Sequence, residues 1–251
     1  MASPRPGARR STFALAALAV TGLILVAALA ALGTWQVQRR TWKHDLIARV
    51  EARVHADPIA APGPGTWDGL TADADAYRRV RTSGHFRNDR ETLVQAVTDL
   101  GAGFWVLTPL ERSDGTAILV NRGFVPADRR DPAARAAGQI AGETTVTGLL
   151  RLSEPGGAFL RSNAPEAGRW YSRDVAAIAA ARGLADAAPY FIDADATPNP
   201  GGWPVGGLTI VRFPDNHLVY AITWYVLALM VLGAVGYTLL DARRGAGRAS
   251  A

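Results

Sequence analysis

The segment PDNHLVYAITWYVLALMVLGAVGYTLL, residues 214–240, decides the architecture. From residue 218 to residue 240 it carries no charge. As a helix that run extends ~34 Å, enough to cross the ~30 Å hydrocarbon core of a bilayer with some tilt. The imidazole of His217 therefore stands where a membrane helix enters the bilayer. Tyr220, Ala221 and Trp224 follow at helical steps, on the same face as His217. A histidine at a helix mouth, a small residue one turn on and an aromatic ring two turns on offer a seat for a flat cofactor. Ionisable residues at membrane depth are functional candidates by default. The same residues also suit an interfacial aromatic belt. Spacing alone leaves both readings open.

The other end of the chain mirrors this one. Residues 13–32 form a second uncharged run, preceded by Arg5, Arg9 and Arg10. Ala28-Leu29-Ala30 matches the small-residue pattern of a signal-peptide cleavage site, but the apolar run exceeds the usual 7–15 residues. Beyond it Trp35, Trp42, Leu46, Ile47, Val50 and Val54 recur at helical spacing among Arg39, Arg40, Lys43, Arg49 and Arg53. This pattern predicts a retained membrane helix that continues as an amphipathic stalk to Asp57-Pro58.

Two spans put both termini on one side. Arg243, Arg244 and Arg248 follow the second span, which favours a cytoplasmic C-terminus. The expected organisation is a cytoplasmic tail at 1–12, a membrane helix at 13–34, a stalk at 35–57, an extracytoplasmic β-rich domain at 58–213, a membrane helix at 217–240 and a cytoplasmic tail at 241–251.

Composition narrows the chemistry. The 251 residues include no cysteine, which excludes disulfides, CxxC redox chemistry and cysteine-ligated metal sites. Met1 and Met230 are the only methionines, too few for a thioether copper site. The net charge of +5 is carried almost wholly by arginine, much of it flanking the apolar runs. That placement suits anionic lipid head groups rather than nucleic acid.

The middle segment reads as strands. A Pro/Gly linker at 58–65 precedes alternating runs at 77–86, 92–97, 103–110, 116–121 and 144–152, with Ser113-Asp114-Gly115 as a hairpin turn. Asp174 is set to cap a short helix over 175–181, stopped by Gly183. Late strands are expected at 190–193 and 208–211. The fold class is therefore a membrane protein in which two transmembrane α-helices flank a mostly antiparallel β (α+β) domain, as a sheet or partly open barrel.

No G-x-S-x-G, H-E-x-x-H, Walker or G-x-G-x-x-G motif marks a catalytic site. His44 and His55 read as solvated stalk residues, and His85 as a surface residue in a turn. Asp73 and Asp75 read as solubilising residues of a polar loop. Arg39 and Arg40 suit lipid head groups, or a propionate or phosphate.

Six segments, in order, resemble the surfeit locus protein 1 family. They are Gly33-Thr34-Trp35-Gln36 with Arg39 and residues 43–47, Tyr77-Arg78-Arg79-Val80 into Gly84-His85-Phe86, residues 103–110, residues 120–126, Trp170-Tyr171-Ser172-Arg173-Asp174, and residues 216–225. The resemblance covers about residues 30–240. Asp215 departs from the asparagine expected in many members, with no consequence expected beyond local charge.

The resemblance implies an assembly factor, not an enzyme, for haem–copper terminal oxidases, chiefly cytochrome c oxidase. It implies a place in a bacterial plasma membrane, given the short segment before the first apolar run. The implied cofactor is haem A, and the implied partners are the oxidase catalytic subunit, the haem A synthesis machinery and the bilayer, with no nucleic acid. His217 falls on the family's proposed haem contact, as an axial ligand to the iron, with Tyr220 and Trp224 beside the ring. Two alternatives stay open: a haem-free scaffold that works through an exposed Arg122-Gly123-Phe124 segment, and a membrane-tethered exported enzyme.

Overall fold

The computed structural model describes residues 12–158, 160–209, 211, 213 and 215–248. The chain divides into two compact units, Met1–Ile47 with Arg212–Ala251, and Ala48–Val211.

The terminal unit is built from two long helices. Helix α1 runs without a break over Thr12–His55. The last helix, His217–Arg248, is numbered α4 below. Both are long and apolar enough to cross a membrane. They run antiparallel: Gly22 meets Val235, and Gly33 meets the ring of Tyr225. A Cβ on either glycine would collide with those side chains, so the small residues set the close approach of the two backbones. Thr34 and Tyr225 share a hydrogen bond at 3.0 Å, and Ala221 and Ala228, one heptad apart, are buried.

The middle unit is a β-barrel-like sheet. Its strands are β1 (Ile59–Ala60), β2 (Arg79–Phe86), β3 (Thr92–Thr98), β4 (Gly101–Glu111), β5 (Ala117–Pro126), β6 (Glu143–Leu152) and β7 (Ala187–Ala194). Neighbours run β1-β2-β6-β7-β5-β4-β3, and β2 also pairs with β4 through His85–Glu111 and Phe86–Leu110. The second pairing closes β2, β6, β7, β5 and β4 into a ring. Closure removes sheet edges that would otherwise stand open. Between β1 and β2 lies a short turn of helix, α2 (Ala72–Asp75).

Two apolar cores follow from the period-two alternation of strands. The barrel interior holds Val80, Leu110, Ile118, Val120, Leu150, Tyr190 and Ile192. The outer face of β3, β4, β5 and β7 packs Val94, Leu107, Leu119 and Phe191 against Trp170 and helix α3 (Val175–Ala181). Each fully buried Leu or Ile contributes roughly 1.5–3 kcal/mol. Helix α3 has both expected stops. The Asp174 side chain accepts from the Ala177 N–H at 3.2 Å. Gly183 takes φ +62°, and the N–H groups of Gly183 and Leu184 close on the carbonyls of Ala180 and Ala179.

The structure corrects several expectations. The sheet is mostly antiparallel, as expected, but β5–β7 and β1–β2 are parallel. A parallel pair needs a long crossover, and here the chain leaves β6, forms α3 outside the sheet and returns as β7 between β5 and β6. No strand forms over residues 208, 209 and 211, and Ile210 lies outside the described residues. Val205 instead makes one bridge to Phe124, beyond the end of β7. His85 is an exposed position of β2, not a turn. Asp75 is buried rather than solubilising; it accepts from the Thr71 N–H at 2.9 Å and from Arg78 at 2.6 Å. The Arg122-Gly123-Phe124 segment is not exposed: Arg122 and Phe124 are fully buried in β5.

Candidate functional site

The candidate site lies in the terminal unit, at the mouth of α4. Asp215 stands two residues before the helix and accepts the His217 N–H at 3.0 Å. The first N–H groups of a helix have no internal partner, and a carboxylate there also suits the helix dipole. The other carboxylate oxygen lies 2.8 Å from His44 Nε2 and 3.7 Å from Arg40 Nε. The His217 N–H and the His44 ring together hold the Asp215 carboxyl below the usual carboxylate range. Asp215 is therefore a clamp joining α4 to α1, not a change of local charge alone.

The His217 ring is held separately. Its Nδ1 lies 2.7 Å from the amide oxygen of Gln36 on α1. An amide oxygen only accepts, so Nδ1 carries the hydrogen and donates it. In the neutral ring Nε2 then bears the lone pair, and among the described residues no hydrogen bond engages it. A neutral imidazole with one nitrogen fixed by a donor bond and the other free is the usual form of a metal-ligating histidine.

The other expected site residues fall around this ring unevenly. Tyr220 is exposed, Trp224 is half-buried, and Ala221 between them is buried. The Arg39 guanidinium lies 4.0 Å over the Trp42 ring, while Arg40 points to Asp215. His44 serves the Asp215 clamp. His55, at the far end of α1, bonds to the Glu51 carbonyl at 2.9 Å.

Gln36, and the joining of Asp215, His44 and Arg40 into one clamp, do not stand out in the sequence. A signal exists: Gln36, Arg40 and His44 recur at four-residue steps, which places them on one face of α1. Only the antiparallel partner makes that face meaningful.

The residues present fit a haem. They offer one imidazole with a free lone pair, aromatic side chains on the same helix, and arginines on α1 for acidic groups.

Comparison with known proteins identifies the family. A model of the SURF1 family matches residues 23–229. The chain is 42% identical over 222 residues to surfeit locus protein 1 of Mus musculus, spanning 82% of this chain and 70% of that one. It is 40% identical over 214 residues to surfeit locus protein 1 of Homo sapiens, spanning 78% and 69%. A SURF1-like protein of Monosiga brevicollis is 41% identical over 219 residues, spanning 80% and 79%. The matched region takes in Gln36, His44, Asp215 and His217, so the chain belongs to the SURF1 family.

Proposed function

We propose that this chain is a non-catalytic assembly factor for a haem–copper terminal oxidase of the cytochrome c type. In this reading α1 and α4 span a bacterial plasma membrane with both termini cytoplasmic and the β-barrel unit outside. The chain holds haem A in transit from the haem A synthesis machinery to the oxidase catalytic subunit. His217 would supply the nitrogen that ligates the iron, with Tyr220 and Trp224 following it on the same helix. Haem brings the iron that the imidazole ligates; the protein's own part is to hold one nitrogen ready and keep the ring oriented.

Family membership supports the assembly role, and the two apolar helices support the membrane setting. The observation that carries the haem reading is the Gln36 bond to His217 Nδ1, which leaves Nε2 free. The test is the absorption spectrum of the detergent-purified chain from cells that make haem A. A low-spin haem band is expected in the parent and absent in His217→Ala, with membrane insertion intact. An unchanged band in His217→Ala overturns ligation by this residue. No band in the parent favours a haem-free scaffold.

A further inference from the structure

Along β5 the side chains that enter the barrel are Ile118, Val120 and Arg122. The first two are apolar, as the interior of a narrow closed sheet requires. Arg122 is not, yet it is 2% exposed. Its guanidinium lies 4.6 Å over the Phe86 ring. Its Nη2 donates to the Gly138 carbonyl and to Asn199 Oδ1, the latter at 2.9 Å. Nε and Nη1, which carry three N–H groups, have no acceptor among the described residues. Among the described residues Arg122 forms no ion pair. Glu91 acts on it through space but is itself bonded to Arg135, whose like charge repels that of Arg122. Burial draws the guanidinium down to about 10. A buried cation without a counter-ion is costly, and unpaired buried donors add to that cost.

The same arginine lines a cavity of about 120 Å³ at one end of the barrel, with Phe86, Val120, Ile140, Thr144, Val146 and Asn199. Mouths of β-barrels are common ligand sites. We propose that this barrel mouth binds a small monocarboxylate, with Arg122 as its counter-ion.

Three observations select the ligand class. One uncompensated positive charge calls for one negative charge; a dianion would leave a net negative charge buried. The walls set Phe86, Val120, Ile140 and Val146 beside Thr144, Thr145 and Thr147, which suits a short body that is largely hydrocarbon at one side and bonded by hydroxyls at the other. The volume is that of about four waters at ~30 Å³ each, too small for a porphyrin or a nucleotide. Asp195 also lines the cavity, but its carboxylate is partly exposed and accepts from the Thr197 N–H at 3.0 Å, and the charges that act on Arg122 are those of Glu91 and Arg135. Nε and Nη1 have almost no surface open even to water, so the carboxylate reaches them by a small shift of the wall, and a charge-assisted bond made in that dry setting is strong.

The site is independent of the haem reading, and its test uses the full chain in non-ionic detergent. Sodium butyrate is titrated by calorimetry, with inorganic phosphate as the comparison. A saturable butyrate signal is expected, with no comparable phosphate signal. Arg122→Gln should weaken butyrate binding at least about ten-fold, the loss of roughly one charge-assisted bond. Thr144→Phe keeps the arginine but fills the cavity, and should abolish binding; it carries the test if Arg122→Gln does not fold. No saturable signal in the folded parent overturns the proposal. So does unchanged affinity in the folded variants, or phosphate binding as tight as butyrate.

Discussion

His217 and Gln36 are 181 residues apart in sequence, and their side chains meet at 2.7 Å. The bond decides which imidazole nitrogen can act. With Gln36 accepting from Nδ1, the lone pair sits on Nε2; without it, either tautomer is free to form.

Under the proposed haem role, Gln36→Leu should therefore weaken haem retention and blur the low-spin spectrum, because the ring loses its orienting partner. Gln36→Glu keeps an acceptor and should retain haem, with a lower reduction potential because the carboxylate accepts more strongly from Nδ1–H and makes the imidazole more electron-rich. Changes of 10–100-fold in retention are typical when such an orienting partner is lost. Spectra and potentiometric titration of the two variants check this. Identical behaviour of Gln36→Leu and the parent would show that the bond orients nothing that matters.

Gly84 is where the barrel closes. A Cβ there would lie 2.3 Å from the Glu111 carbonyl oxygen, on backbone that cannot rotate away. Gly84→Ala should cost about 1–3 kcal/mol of stability by forcing β2 from β4. Chemical denaturation of the full chain measures it, and amide exchange should rise first at His85 and Phe86.

Glu91 and Arg135 form a pair whose side chains are 9% and 1% exposed. Glu91→Ala leaves the Arg135 guanidinium buried without its carboxylate and should cost about 3–5 kcal/mol. Glu111, half-exposed and 3.1 Å from Arg87, is the contrast. Glu111→Gln should cost less than about 1 kcal/mol. Equal losses in the two variants would contradict the burial argument.

Asp75 makes stability depend on acid. Burial pushes its carboxyl up, but the Thr71 N–H and the Arg78 and Arg53 cations outweigh this and hold it below its ordinary value. A carboxyl depressed in the folded state stabilises above the unfolded value, near pH 4, and loses that contribution as pH falls through the folded value. The stability gap between the parent and Asp75→Asn should be flat from pH 7 to about 5. It should shrink as pH drops below about 4, in denaturation curves of the full chain. A gap that widens toward acid would reverse the sign.

Much of the fold is legible in local pattern. Uncharged runs mark α1 and α4, alternation marks β2 to β6, and Asp174 with Gly183 marks α3, because each signal sits within one element. Ring closure is not legible, since it rests on His85 and Phe86 meeting Glu111 and Leu110 across the sheet. Nor is the parallel placement of β7. Within the site, His217 stands out by its position before an uncharged run. Gln36 does not, because a glutamine on an amphipathic helix is unremarkable until the antiparallel partner is in place. Arg122 misleads for a related reason: alternation cannot say which face of a strand is buried when both are.

The insertion of β7 between β5 and β6 also orders events on the ribosome. β5 is complete at residue 126, but the neighbour that covers its second edge ends only at residue 194. At ~5–20 residues per second, that interval lasts several seconds. Throughout it a strand apolar on both faces waits with one side open, the condition under which nascent chains associate wrongly. A chain that terminates before residue 187 retains six of the seven strands yet never completes the ring.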